Sequence, residues 1–280
     1  MAQVLLLSRP SGPLTFPNDQ PERNMTTKTT ILSLALAAAG CCTATAGVAP
    51  APAPAPAPET SLWTGSVSLG YDTKYIFRGL HVTDDLATAT LDLNYALSDR
   101  LTLNLNAWYV NGAGHGVNYD ELNLYAKLLY KVNDQFSFGP SFRYYDYPFA
   151  SGGEQYEPGI EGVWTPCANT VINMGLYYET ESDALYAELG ASYTHKVTDT
   201  FSLVPGAVIS YLDRDGWGVN TSGFNHAALF VKAPITLGST VTLTPYIAYN
   251  IPLETIEDNG GLNPGQDDQF YGGATLSVGF

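Results

Sequence analysis

The sequence predicts an all-β fold, a transmembrane antiparallel up-and-down β-barrel of about 12 strands. Three observations lead there. The stretch Leu101–Val110 alternates strictly, with Leu101, Leu103, Leu105, Ala107 and Tyr109 on one side and Thr102, Asn104 and Asn106 on the other. Side chains of a strand alternate between faces, whereas a helix would need apolar residues at i, i+3 and i+4, positions where this stretch mixes Leu with Asn. The stretch is also about ten residues long, the length of a tilted strand crossing a hydrocarbon layer. The pattern returns in Phe136, Phe138, Pro140, Phe142, Tyr144, in Phe201, Leu203, Pro205, Ala207, Ile209, Tyr211, and in Val241, Leu243, Pro245, Ile247, Tyr249. A recurring unit that follows a turn and ends in Tyr marks an architecture built from one repeated hairpin.

Strands are expected at 62–76, 86–97, 101–110, 119–131, 136–147, 155–164, 170–180, 184–195, 201–212, 222–232, 240–250 and 269–280. An even number suits a bacterial single-chain barrel. One set of connections is short and rich in turn-forming residues: Ser98-Asp99-Arg100, Val132 to Gln135, Thr165 to Asn169, Lys196 to Asp199 and Pro234 to Ser239. The other set is mostly longer and acidic: Gly79 to Asp85, Asn111 to Asn118, Pro148 to Glu154, Glu181 to Asp183, Asp213 to Thr221 and Ile251 to Asp268. Short turns at one rim and longer loops at the other is the asymmetry of outer-membrane barrels. Aromatic residues gather at both rims. Tyr75, Phe77, Trp108, Tyr109, Tyr145, Tyr147, Tyr177, Tyr178, Tyr211, Trp217, Tyr249, Phe270 and Tyr271 lie near the long loops, and Trp63, Tyr95, Tyr130, Phe136, Trp164, Tyr193, Phe201, Phe230 and Phe280 near the short turns. Two girdles suit two membrane interfaces. Pro140, Pro205 and Pro245 oppose this reading, because proline removes a ladder donor, and a bulge is expected near each.

The chain has 280 residues with a formal net charge of −15. Residues 1–46 read as an export leader: Lys28 supplies a positive start, Ile31 to Gly40 a short apolar run, and Ala44-Thr45-Ala46 a small-x-small cleavage site, with Met25 as the expected true start. Leu36 to Cys41 offers a rival lipoprotein-like processing site. The leader holds Arg9, Arg23 and Lys28 against Asp19 and Glu22, so the rest carries 9 basic and 25 acidic residues, net −16. That balance argues against nucleic acid and against a polybasic membrane patch. Only Cys167 remains after cleavage, so no intrachain disulfide forms. Residues 47–61, in which Ala49 to Pro58 alternate Ala and Pro, are an extended spacer expected in the periplasm, and residues 62–280 are expected to form the barrel.

Charged side chains oppose apolar neighbours along the strands. Asp72, Lys74, Arg78, Asp92, Glu121, Lys127, Arg143, Glu157, Glu161 and Glu188 are the expected pore-lining residues. Alternation alone leaves open which face is inside. The final strand ends in Leu276, Val278 and Phe280 and resembles the C-terminal signal that barrel-assembly machinery reads, which makes that machinery and membrane lipid the expected partners alongside small solutes. No cofactor or metal is expected: His81, His115, His195 and His226 lie in no His-x-x-x-His or Cys-x-x-Cys spacing. Glu157 and Glu161, two steps apart on one face, admit a carboxylate-pair reading, but such pairs more often line a pore wall. His226, with Ser222 nearby, is the candidate for a barrel enzyme acting on lipid.

Gly70 to Gly79, with Tyr75, Phe77, Arg78 and Gly79 followed by Asp84 and Asp85, resembles the opening strand of the bacterial TorF-type porins. The resemblance implies an outer-membrane barrel with a poorly defined solute preference and brings no catalytic residues. Physically, Arg78 at a strand end either pairs with a lumen carboxylate or guides solutes at the mouth, and the favoured reading is a structural ion pair with Asp72 or Asp84. The functional expectation is a porin-like channel for passive diffusion of small solutes with a weak preference for cations. The alternatives are a closed structural or adhesive barrel with acidic cation-binding loops, and the barrel enzyme.

Overall fold

The computed structural model describes residues 62–112, 119–148, 154–216, 218–258 and 260–280. The leader, the Ala-Pro spacer, His115 and Trp217 lie outside the described residues. The strands are β1 (Trp63–Phe77), β2 (Leu80–Ser98), β3 (Leu101–Gly112), β4 (Tyr119–Lys131), β5 (Phe136–Asp146), β6 (Gln155–Cys167), β7 (Thr170–Glu179), β8 (Ala184–Tyr193), β9 (His195–Lys196), β10 (Ser202–Gly216), β11 (Val219–Lys232), β12 (Ile235–Thr236), β13 (Val241–Pro252) and β14 (Gln269–Gly279). Both β8 and β9 pair with β10 in one register, and both β11 and β12 pair with β13 in one register. Each pair is therefore one stave of the wall. The 14 segments make a closed antiparallel barrel of 12 staves. Closure comes from β1 against β14, Ser66 opposite Gly279 through Asp72 opposite Gly273. A closed sheet leaves no unpaired edge, which is the condition for strands to stand in hydrocarbon.

Exposure settles which face is inside. Leu69 is 63% exposed, Ile160 57% and Ile247 54%, while Glu121, Asn123 and Glu157 are each 1% exposed. In a single closed sheet a buried side chain can only point into the barrel. The apolar faces of β3, β5, β10 and β13 thus form the outer wall and the polar faces the interior, the reverse of a soluble barrel.

The prolines behave differently from the bulge expected at them. No register shift occurs at Pro140, Pro205 or Pro245, each of which keeps its pairing on one side, with Ile160, Val231 and Ala274 respectively. On the other side the ladder lapses. The β4–β5 pairing skips from Ser141 to Phe138, the β8–β9 stave breaks opposite Pro205, and the β11–β12 stave breaks opposite Pro245. A residue with no N–H costs one ladder bond, and the neighbouring stave simply opens there. At the first gap a Cβ on Gly139 would collide with the backbone carbonyl of Leu128. Gly139→Ala should therefore push β4 from β5 and lower the unfolding free energy by about 1–3 kcal/mol, the usual cost of overpacking. A urea titration of the folded barrel reads this, and an unchanged midpoint would contradict it.

Two connections are tighter than expected. The β1–β2 connection, expected as a loop over 79–85, is the two-residue turn Arg78-Gly79, and β10 and β11 run on to Gly216 and Val219. The last connection carries a one-turn helix, α1 (Glu254–Glu257), whose Ile256 is fully buried.

The aromatic residues near the long loops do not all form a girdle. Tyr109, Tyr178, Tyr211 and Phe270 are exposed on the outer wall, but Tyr145, Tyr147 and Tyr177 are buried. Consecutive aromatics such as Trp108-Tyr109 and Tyr177-Tyr178 cannot share a face, so one of each pair must enter the lumen. Near the short turns Trp63, Tyr130, Trp164 and Phe280 are exposed, and Trp63 packs on Tyr95 at 4.5 Å.

Candidate functional site

The interior divides into two halves. On the short-turn side it holds a half-open cavity of about 730 Å³ lined by Ser66, Asn94 and Asn104, with Tyr75, Phe77 and Trp108 towards the long loops. Its charged lining is Asp92, Lys127, Arg143 and Glu161. These four sum to zero. Lys127 Nζ donates to Glu161 Oε2 at 3.1 Å and Arg143 to Glu161 Oε1 at 3.1 Å, so one carboxylate serves two cations. Arg143 also donates to the Tyr177 hydroxyl at 2.6 Å and lies 3.8 Å from the ring centroid. Across the cavity Asp92 accepts from Asn106 at 2.5 Å, and Asn104 donates to Asn94. The two cations offset the one carboxylate, and the amides beside it offer both donors and acceptors. The lining can bind water and small polar solutes of either sign.

On the long-loop side the interior is filled. The turn between β1 and β2 enters the barrel, and Arg78 crosses it to β6, where its guanidinium makes a two-pronged bond with Glu157 at 2.6 and 2.8 Å. The Arg78 Cζ stands 4.0 Å from the Tyr186 ring centroid and 5.2 Å from that of Phe77. Tyr145 donates to Glu157 at 2.9 Å. The turn's carbonyls are held as well: Asn225 donates to Arg78 O at 2.7 Å, and Asn250 and Gln266 to Gly79 O at 3.0 and 2.7 Å. Glu121 fills the adjacent sector, accepting from Tyr75, Tyr119 and Asn123.

Arg78 thus meets one sequence expectation, the pairing with a lumen carboxylate, and departs from the other two. It neither pairs with Asp72 or Asp84 nor stands free at the mouth. Asp72 accepts from Tyr246 at 2.6 Å instead, and Asp84 lies 3.0 Å from His81. The physical reason is the turn. With Phe77 opposite Leu80, the tip carries Arg78 away from its own strand and into the lumen. Of the other expected lining residues, Lys74 donates to Gln269 at 2.8 Å, and Glu188 accepts from Tyr186 at 2.8 Å. Glu157 and Glu161 are each committed to different cations, which leaves no free carboxylate pair. His226 bonds Ser210, its Nδ1 at 2.7 Å from Oγ, rather than Ser222, and both are buried. The signal for that pairing is a register shift between Ile209 and Tyr211, which alternation does not reveal. The amides Asn225, Asn250 and Gln266, which hold the turn, had no signal in the sequence because their partners are backbone atoms far away in the chain.

No family model and no curated protein matches the chain. Solved structures do. The COG4313 outer membrane channel from Pseudomonas putida F1 is 15% identical over 78% of this chain and 95% of its own, with a TM-score of 0.51. A KdgM porin is 12% identical over 77% of this chain and 99% of its own at 0.48, and a NanC porin 14% identical over 77% and 98% at 0.47. At such identities the similarity shows the fold alone, a closed antiparallel β-barrel.

Proposed function

We propose that the chain is an outer-membrane channel for passive diffusion of small solutes, and that the conformation described is closed at the long-loop rim by the β1–β2 turn. The observation that carries this reading is the polar, charge-balanced cavity, which occupies the lumen up to the turn and ends against a plug held by side-chain bonds rather than by ladder pairing across the lumen. The opening motif, Tyr75 to Gly79, supports placing it near the TorF-type porins. Residues 1–46 then serve as the export leader and 47–61 as a periplasmic spacer. The spacer would join the short-turn rim, where Gly65 and Phe280 exchange backbone bonds of 2.9 and 3.0 Å. Phe280 is 65% exposed at that rim, open to assembly machinery and membrane lipid.

The cavity lining is neutral in sum, so selectivity falls to the long-loop rim, with Asp84, Asp213, Asp215, Glu254, Asp258, Asp267 and Asp268 exposed or partly exposed there. A mouth of one sign concentrates counter-ions. We expect a modest cation preference that fades as salt shortens the Debye length from about 30 Å at 0.01 M to about 3 Å at 1 M. Reversal potentials across KCl gradients at both strengths test this; anion preference, or cation preference indifferent to salt, would refute it.

The plug itself favours a second reading, a closed structural barrel. Among the described residues no three Asp, Glu, His or Cys side chains converge on a metal-sized site, so cation-binding loops gain no support. Planar-bilayer recording separates the two readings: a channel shows discrete openings that Arg78→Ala makes frequent, and a structural barrel is silent in both forms.

A further inference from the structure

We propose that the Arg78 pocket is a binding site for guanidinium-bearing solutes and that Arg78 is its tethered occupant. The walls of the site all belong to barrel staves: Glu157 on β6, Tyr145 on β5, Tyr177 on β7 and Tyr186 on β8. The occupant alone comes from elsewhere, from a turn across the lumen.

The site has the chemistry of guanidinium recognition. A carboxylate presents both oxygens to the two terminal nitrogens at 2.6 and 2.8 Å, the fork geometry that a planar guanidinium fits and an ammonium does not. The Tyr186 ring covers the cation at 4.0 Å, with Tyr177 at 5.6 Å. The Tyr145 hydroxyl fixes the carboxylate from behind at 2.9 Å. The lumen repeats this arrangement around Arg143, which lies over Tyr177 at 3.8 Å beside Glu161.

The occupant is held in an unusual way. Arg78 has φ +48° and Gly79 φ +84°, the pair of left-handed conformations that a two-residue hairpin turn requires. Asn or Asp is the usual first residue of such a turn, and a long side chain there is a local cost that its surroundings must offset. The offset is the site itself. The remaining holds on the turn are neutral amide bonds from Asn225, Asn250 and Gln266, which water can replace when the turn withdraws.

Withdrawal with nothing to replace Arg78 would strand Glu157, which is 1% exposed, as an unpaired buried charge. A solute carrying its own guanidinium removes that penalty, so it stabilises the withdrawn turn in preference to the plugged one. A tethered group acts at an effective concentration on the order of millimolar, so free solute competes when its concentration approaches that range. The acidic long-loop rim raises the local cation concentration in the same direction. This inference rests on the channel reading only for the route by which a solute arrives.

The test uses the full chain refolded in detergent and in vesicles, with agmatine as the probe and 1,4-diaminobutane as the control that lacks the fork. Agmatine should bind Arg78→Ala saturably and about tenfold or more tighter than wild type, where Arg78 competes. Arg78→Ala/Glu157→Gln should lose that binding, and diaminobutane should bind none of the three. No saturable binding to Arg78→Ala, equal affinity in wild type, or undiminished binding to the double variant overturns the proposal. If Arg78→Ala does not refold, agmatine in the refolding buffer should restore the folded barrel, as a ligand of the native state does. Failure to restore it overturns the proposal as well. Agmatine binding without conductance would leave the site standing and remove the channel, and conductance without binding would do the reverse.

Discussion

Arg78→Ala is expected to lower the unfolding free energy by about 3–5 kcal/mol, the usual cost of removing one partner of a buried ion pair. The size follows from what is left behind. Glu157 is 1% exposed and Arg78 12%, so neither is screened by solvent. With the guanidinium gone, the Glu157 carboxylate keeps one neutral donor, Tyr145, and faces Tyr186 across an empty space. Removing both charges should cost much less, since a buried pair offsets its own desolvation only in part. Arg78→Ala/Glu157→Gln should therefore recover most of the loss. Urea unfolding in lipid vesicles, followed by Trp fluorescence, measures both variants. A loss below about 1 kcal/mol in Arg78→Ala would place the pair among the weak, solvent-screened ones and undo the description of a sealed plug. Conductance should move the opposite way to stability, because the same side chain both braces the barrel and blocks it.

The wall was largely legible in the sequence, and the plug was not. Period-two alternation is a local property, and Leu101–Val110 shows it without reference to any neighbour. The inside-outside question could not be answered locally, since Leu103 and Asn104 alternate equally well in a soluble barrel. The direction in which the closed sheet curls decides it, shown by exposed Leu69 and Ile160 against buried Glu121 and Glu157, and that curl is a property of the whole chain. Prolines marked real irregularities but of another kind, because a missing N–H weakens a ladder without inserting a residue. The Trp108-Tyr109 and Tyr177-Tyr178 pairs could have been split between wall and lumen from alternation alone. Arg78 was singled out correctly as a strand-end charge, yet its partner lies 79 residues away on β6. Nothing in the spacing of Arg78 and Glu157 carries that contact. Loop lengths misled too: Asp84 and Asp85 read as loop residues by composition, but β2 runs through them, Asp85 with φ +56°.

The strongest test of the wall assignment is a pair of arginines on opposite faces. Ile160 lies near the middle of β6, is 57% exposed, and is flanked on the outer wall by Pro140 and Leu176. Arginine on the lipid face near the bilayer midplane costs about 2–4 kcal/mol. Ile160→Arg should lose that amount when the barrel is folded into vesicles, with a matching fall in folded yield. Asn106→Arg places the same side chain in the cavity, in register with Asp92 and within the lining that already holds Arg143 and Lys127. There it stays hydrated and gains a carboxylate, so its cost should stay below about 1 kcal/mol, as for other solvent-accessible pairs. The contrast does not depend on helix or strand propensity, because the introduced residue is the same. It also separates a membrane barrel from a soluble one: in water an exposed Ile160→Arg would be nearly neutral, and the variant would fold as well as wild type without lipid. Equal yields for Ile160→Arg and Asn106→Arg would therefore place the apolar face in water rather than in hydrocarbon.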